Sequence, residues 1–222
     1  MKIKTLLTAI ALSACLSIAV QGQIVISQYV ETDSGTFPKG IELWNYSAST
    51  VDFSVTALDI LKGTNGNTPS SDFTRSTGTM AAGEVIVIGT SDIGNYLDLT
   101  FGQNQVQFFD KSFTFNGDDA LVLKLGGITL DTFGTPGSDP GTNWSGNDVS
   151  TRNSNIALID GTITGSAGFT DPSTRFSTIS TSPTAFGGLS GFGVAPVPEP
   201  GTYALLAGMF ALASVMLRRR CS

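Results

Sequence analysis

The sequence predicts an all-β fold, an immunoglobulin-like β-sandwich. Two observations predict it. Short runs rich in Val, Ile, Phe and Thr alternate with Gly, Asn, Asp and Ser clusters, the composition of strands and turns. No segment before residue 200 carries a helical period. In chain order, strands are expected at 23–30 (QIVISQYV), 39–46 (KGIELWNY), 50–61 (TVDFSVTALDIL), 84–89 (EVIVIG) and 104–109 (NQVQFF). Further strands are expected at 119–125 (DALVLKL), 127–133 (GITLDTF) and 155–159 (NIALI). Within 39–46, Ile41 and Leu43 share one face, while Glu42, Trp44 and Tyr46 share the other. That is the period of two of a sheet with a packed face. Gly126-Gly127 between two apolar runs is the two-residue connection that a primed hairpin turn requires. Asn65-Gly66-Asn67 marks a looser turn. Eight or so short strands without a helix give the sandwich.

Both ends of the chain read as export signals. Lys2 and Lys4 precede an apolar stretch from Leu6 to Val20, the pattern of a secretory signal peptide over residues 1–22. Small residues at Val20 and Gly22 place signal peptidase cleavage after Gly22, leaving Gln23 first. A rival reading takes Leu12-Ser13-Ala14-Cys15 as a lipobox and Cys15 as a lipidated first residue, although LSIAV after Cys15 continues the apolar core. At the other end stand Pro198-Glu199-Pro200, an uncharged apolar run over 201–217, and Arg218-Arg219-Arg220. The prolines stop a preceding element, and 17 residues are at the short end of a membrane span. The arginines hold the C-terminus on the cytoplasmic side. The plain reading is a single-pass tail anchor in the inner membrane. The three parts in this order also closely resemble the PEP-CTERM sorting signal over 198–222. That resemblance implies a bacterial exosortase-type enzyme that removes the tail and leaves the mature form at the cell surface or outside the cell.

Between the two signals lies one domain, large enough to bury a core. Both cysteines fall outside it, at Cys15 and Cys221, and the chain has no histidine. Residues 23–197 carry seven basic against seventeen acidic side chains, a net charge of −10. Such a charge argues against nucleic acid as a partner.

A second resemblance covers residues 23–160. IVISQYVE, KGIELWNYS and AAGEVIVIG are similar in order to the early strands of the bacterial lamin-tail domain, a small immunoglobulin-like sandwich. FNGDDALVLKLGGITLDTFG resembles its most recognisable turn, strand and hairpin, and DPGTNWSGNDVSTRNSNIALI resembles its close. One departure is that Ile159 runs into Asp160-Gly161 where the family often has a basic residue. The remainder, 161–197, reads in two ways: a last strand and turn within 169–194, or a Ser/Thr/Gly/Pro-rich stalk.

The polar landmarks are Glu42, Asp118, Asp119, Asp131 and Asp139. Asp118 and Asp119 are the first candidates for calcium, which takes carboxylate and carbonyl oxygens. The competing reading makes them turn residues, with Gly117 supplying a positive φ. Trp44 and Trp144 are candidate stacking platforms for polysaccharide, against which stands an ordinary place in a sandwich core. With neither His nor Cys in the domain a nucleophile–base pair is not expected, and no catalytic residue or cofactor is assigned. Two roles follow: a non-catalytic structural or interaction protein at the surface, or a polysaccharide-binding or calcium-dependent adhesion module. An accessory that recruits a separate secreted enzyme is a third.

Overall fold

The structure is a computed structural model and describes residues 24–33, 38–162, 164–185 and 187–196. The signal peptide at 1–22, the run at 201–217 and the sorting residues Pro198, Glu199, Pro200, Arg218, Arg219 and Arg220 lie outside the described residues. Among the described residues no helix is long and apolar enough to cross a membrane.

Fourteen strands and one α-helix are formed among the described residues. In order they are β1 (Ile24–Glu31), β2 (Gly40–Asn45), β3 (Val51–Asp52), β4 (Leu58–Gly63), β5 (Ser70–Arg75), β6 (Thr79–Met80) and β7 (Val85–Gly89). Then come α1 (Ser91–Phe101), β8 (Gln107–Asp110), β9 (Ala120–Leu125), β10 (Ile128–Phe133), β11 (Ser145–Gly146), β12 (Val149–Ser150), β13 (Ser154–Leu158) and β14 (Phe176–Ser180). A six-stranded sheet has the order β14-β13-β1-β2-β7-β8, and a four-stranded sheet has the order β10-β9-β4-β5.

The alternation of Ile41 and Leu43 with Glu42 is used as expected. Ile24, Ile26, Ile41, Leu43, Ile86 and Ile88 of the six-stranded sheet meet Leu58, Ile60, Leu121, Leu123, Leu125 and Phe133 of the other in one apolar core. Tyr29 stacks between Phe115 and Phe133 at ring separations of 5.0 and 4.3 Å. Burial of this apolar surface is the main favourable term holding the sheets together. Asp131 adds a polar tie across them: its carboxylate accepts the N–H groups of Ile26, Thr132 and Ser166 and pairs with Arg175 at 3.3 Å. The turn between β9 and β10 is the predicted one. Leu125 and Ile128 are paired across it, and Gly126 and Gly127 have φ of 56° and 82°, the two positive values of a type I′ turn.

The structure corrects the sequence reading in three places. The run at 50–61 is not one strand: Asp52 accepts the backbone N–H of Ser54 on its side chain and those of Val55 and Thr56 on its carbonyl. This turn separates β3 from β4. A helix does occur before residue 200. β7 and β8 run parallel, which no tight turn can join, and α1 is the crossover such a pair needs. Only Ile93 and Leu97, one turn apart, are its fully buried apolar residues, too short a stripe to register as a period. The parallel pair also departs from the antiparallel pairing of an immunoglobulin-like sandwich. Finally, 161–197 contains the last strand, since β14 pairs antiparallel with β13. The residues after it do not form a stalk up to 196: Leu189 and Phe192 are buried with Val30, Val87, Ile93 and Leu97.

Those residues form a second layer. The outer face of the six-stranded sheet is covered by α1 on one side and by a strap, residues 187–196, beside it. All eight residues of β1 are therefore buried.

Candidate functional site

One row of residues crosses the outer face of the six-stranded sheet. In register these are Glu42 of β2, Gln28 of β1, Ala157 of β13 and Ser177 of β14. A β-bulge between Ile26 and Gln28 inserts Ser27, and such a bulge re-aims a side chain. Here it brings the Ser27 hydroxyl to Glu42, donating to Oε1 at 2.7 Å. The strap lies over Glu42 and Gln28. The Gly193 N–H donates to Glu42 Oε2 at 2.6 Å, and the Gln28 and Asn155 side-chain amides donate to the Ser190 carbonyl at 2.8 and 3.1 Å.

Beyond the strap, over Ala157 and Ser177, no described residue covers the row. A cleft of about 460 Å³ remains there, lined by Ala157 and Ser177, by Ile159, Ile179, Val194 and Pro196, and at the strap's edge by Ser27, Gln28 and Glu42. Its size is that of a small-ligand or peptide side-chain pocket, with an apolar wall and a few convergent polar groups. Burial pushes the Glu42 carboxyl up to about 8, against the opposing pull of the Ser27 hydroxyl and the N–H groups of Gly193 and Val194. At neutral pH it is largely a neutral acid.

The residues singled out in the sequence are placed elsewhere, Glu42 excepted. Asp119 is buried, and its two oxygens accept the N–H groups of Asn65 and Asn116 at 3.0 and 2.9 Å. That is the work of a turn residue. Asp118 is beside it with one buried oxygen that has no hydrogen-bond partner, and burial raises its carboxyl above the usual range. Asp139 caps its own turn through the Gly141 N–H. Among the described residues no three acidic side chains converge as a metal-ligand set. The turn does not use a positive φ at Gly117. What excludes a side chain there is space, since a Cβ would lie 2.9 Å from the Arg152 backbone.

Trp44 and Trp144 are 4 % and 3 % exposed. Trp44 packs in the core beside Tyr46, and Trp144 lies against Gly134 with its ring edge-to-face to Phe169 at 6.3 Å. Neither ring offers a sugar a free face.

No family model matches this chain, and no curated protein does either. The cleft was signalled in the sequence by one residue, Glu42, an acid inside an apolar strand. Ser27, Gln28, Ile179 and Val194 gave no such signal, because only the sheet register and the strap bring them to it.

Proposed function

We propose that this is an exported, non-catalytic β-sandwich protein, sorted by an exosortase-type enzyme and acting at the cell surface or in the extracellular matrix through interactions. On this reading the core is an immunoglobulin-like domain of lamin-tail type, to which α1 and the strap are additions. The precursor is held in the inner membrane by 201–217, and signal peptidase and the exosortase-type enzyme are its processing partners.

The observation that carries the reading is the order of parts at the C-terminal side. The folded body continues to Pro196, and Pro198-Glu199-Pro200, the apolar run and Arg218-Arg219-Arg220 follow at once. A signal that must be removed without harm to the domain belongs just outside its last packed residues. The buried tryptophans and the satisfied Asp119 lend no support to polysaccharide stacking or to calcium at those residues.

Replacing Arg218, Arg219 and Arg220 together with Glu should block tail removal, because the charges that fix the orientation of the span are inverted. Intact mass of the protein from cells and medium reads this directly. The unchanged chain should appear outside the membrane starting at Gln23 and ending near Pro198. The triple variant should remain in the membrane with its tail. Normal processing of that variant would sink the sorting assignment.

A further inference from the structure

We infer that the cleft walled by Ile159, Ile179 and Val194 is a docking surface for the membrane enzyme that removes the tail, engaged by an apolar loop of that enzyme. The inference rests on the sorting reading above and adds to it a partner surface on the folded domain.

Exposed apolar side chains concentrate there. Among the described residues seven large hydrophobic side chains are exposed, and three of them, Ile159 at 39 %, Ile179 at 43 % and Val194 at 52 %, wall this cleft. Aliphatic groups gathered around a concavity mark a contact site, whereas single ones scattered over a surface do not. The others, such as Val55 and Leu99, line no part of it.

Chain geometry says what approaches this surface. Pro196 is itself part of the cleft wall. Two further residues reach at most about 7 Å, so Pro198 cannot leave the neighbourhood of the cleft. Nor can the exit point drift, because the strap is pinned. Phe192 is fully buried, Gly193 donates to Glu42, and the Ser190 carbonyl takes two side-chain amides. An enzyme that closes on Pro198-Glu199-Pro200 therefore works within reach of Ile159, Ile179 and Val194.

The cleft also states what that surface is like. Its wall is aliphatic, and its lining includes the carboxylate of Asp160 with no basic residue. The matching loop is therefore apolar and free of acidic side chains, since like charges brought together are costly. Its contribution is to hold the cleavage segment and the active site together, raising their effective concentration without taking part in the chemistry.

The test follows conversion of the full-length precursor to the tail-less form by pulse-chase, in cells that carry the processing enzyme. Ile159→Ser, Ile179→Ser and Val194→Ser combined should slow conversion roughly tenfold, the effect of losing about 1.4 kcal/mol of contact. Val55→Ser with Leu99→Ser should leave it unchanged. A Gly-Ser spacer of about ten residues inserted after Pro196 should also slow it, because the tail and the cleft are no longer held at one separation. Should the triple variant fail to be exported, Val194→Asp alone on the exposed side of the strap gives the same reading.

Conversion of the cleft variants at the unaltered rate overturns the docking surface. So does faster conversion with the spacer, which would mean that the folded body only obstructs the enzyme. If the unaltered protein self-associates and a cleft variant that is processed normally does not, the docking surface is overturned and the cleft belongs to a second copy of this chain. Replacing Pro198, Glu199 and Pro200 by Ala separates the sorting signal from the docking surface. If that variant is still processed, the sorting reading fails. If it is blocked while the cleft variants are not, only the docking surface fails.

Discussion

Lys39→Met is expected to cost about 3–5 kcal/mol of stability, the penalty for leaving a buried charge without its partner. The Lys39 ammonium and the Glu31 carboxylate are 3 % and 0 % exposed and lie 2.8 Å apart. Lys39 Nζ also donates to the Phe115 carbonyl at 2.8 Å, and Glu31 accepts the Asn153 N–H at 2.9 Å. The pair therefore ties β1 and the approach to β2 to the segments before β9 and β13. Without the ammonium, Glu31 retains, among the described residues, the Asn153 N–H and no counter-charge within bonding distance. The double variant Glu31→Gln with Lys39→Met should recover most of the loss, because the amide still accepts the Asn153 N–H and neither position holds a buried charge. Urea unfolding followed by the fluorescence of Trp44 and Trp144, both buried, measures the pair. A double variant no more stable than the single one would show that the ion pair is not what sets the cost.

The second large effect is a dependence on pH set by Glu42. Its carboxyl is raised from 4.5 to about 8 in the folded chain, chiefly by burial. Between those values the folded state holds a proton that the unfolded state has released. Stability is therefore highest below pH 4.5 as far as this group is concerned, and falls as pH rises toward 8. The slope approaches about 1.4 kcal/mol per pH unit at its steepest. Above 8 both states are ionised and the loss is complete. Glu42→Gln keeps a neutral group that can accept the Gly193 N–H and donate to Ser27, so it should remove this slope. Asp118 and Asp131, also raised mainly by burial, slope the same way in both proteins. The difference between the two curves isolates Glu42. Parallel curves from pH 5 to 8 would mean that water reaches the carboxyl beneath the strap.

How much of this could be read from the sequence depends on where each residue sits. β1, β2, β7, β9, β10 and β13 were legible because they are central or well buried, and their apolar content is written into short runs. The turn at Gly126-Gly127 was legible because only glycine fits both positions without strain. β5 was not, because SSDFTR on a sheet edge has no fully buried residue and so no pattern to display. α1 was hidden for a related reason. It buries only Ile93 and Leu97 among its apolar residues, carries Gly94 pressed against the Phe108 ring, and leaves Leu99 88 % exposed. The candidate site was the least legible part. Glu42 stood out as an acid among aliphatics, but its surroundings come from residues 27–28, 157–160, 177–179 and 191–196. Only strand register brings these together. The weight placed on Trp44 and Trp144 came from their residue type alone, and packing assigned them to the interior.

The position of β1 imposes an order on how the chain becomes a protein. The earliest strand among the described residues lies in the middle of the larger sheet, bonded on one side to β2 and on the other to β13. Glu31 pairs with Ser154, so one hydrogen-bonding edge of β1 stays open until more than a hundred further residues have been made. At ordinary synthesis rates that is on the order of ten seconds. During this interval an apolar, unpaired strand edge is available to any other strand it meets. Folding from the N-terminus onward cannot shield it, and closure of the sheet waits for nearly the whole domain. A chain built this way favours being kept extended until its last strands are present.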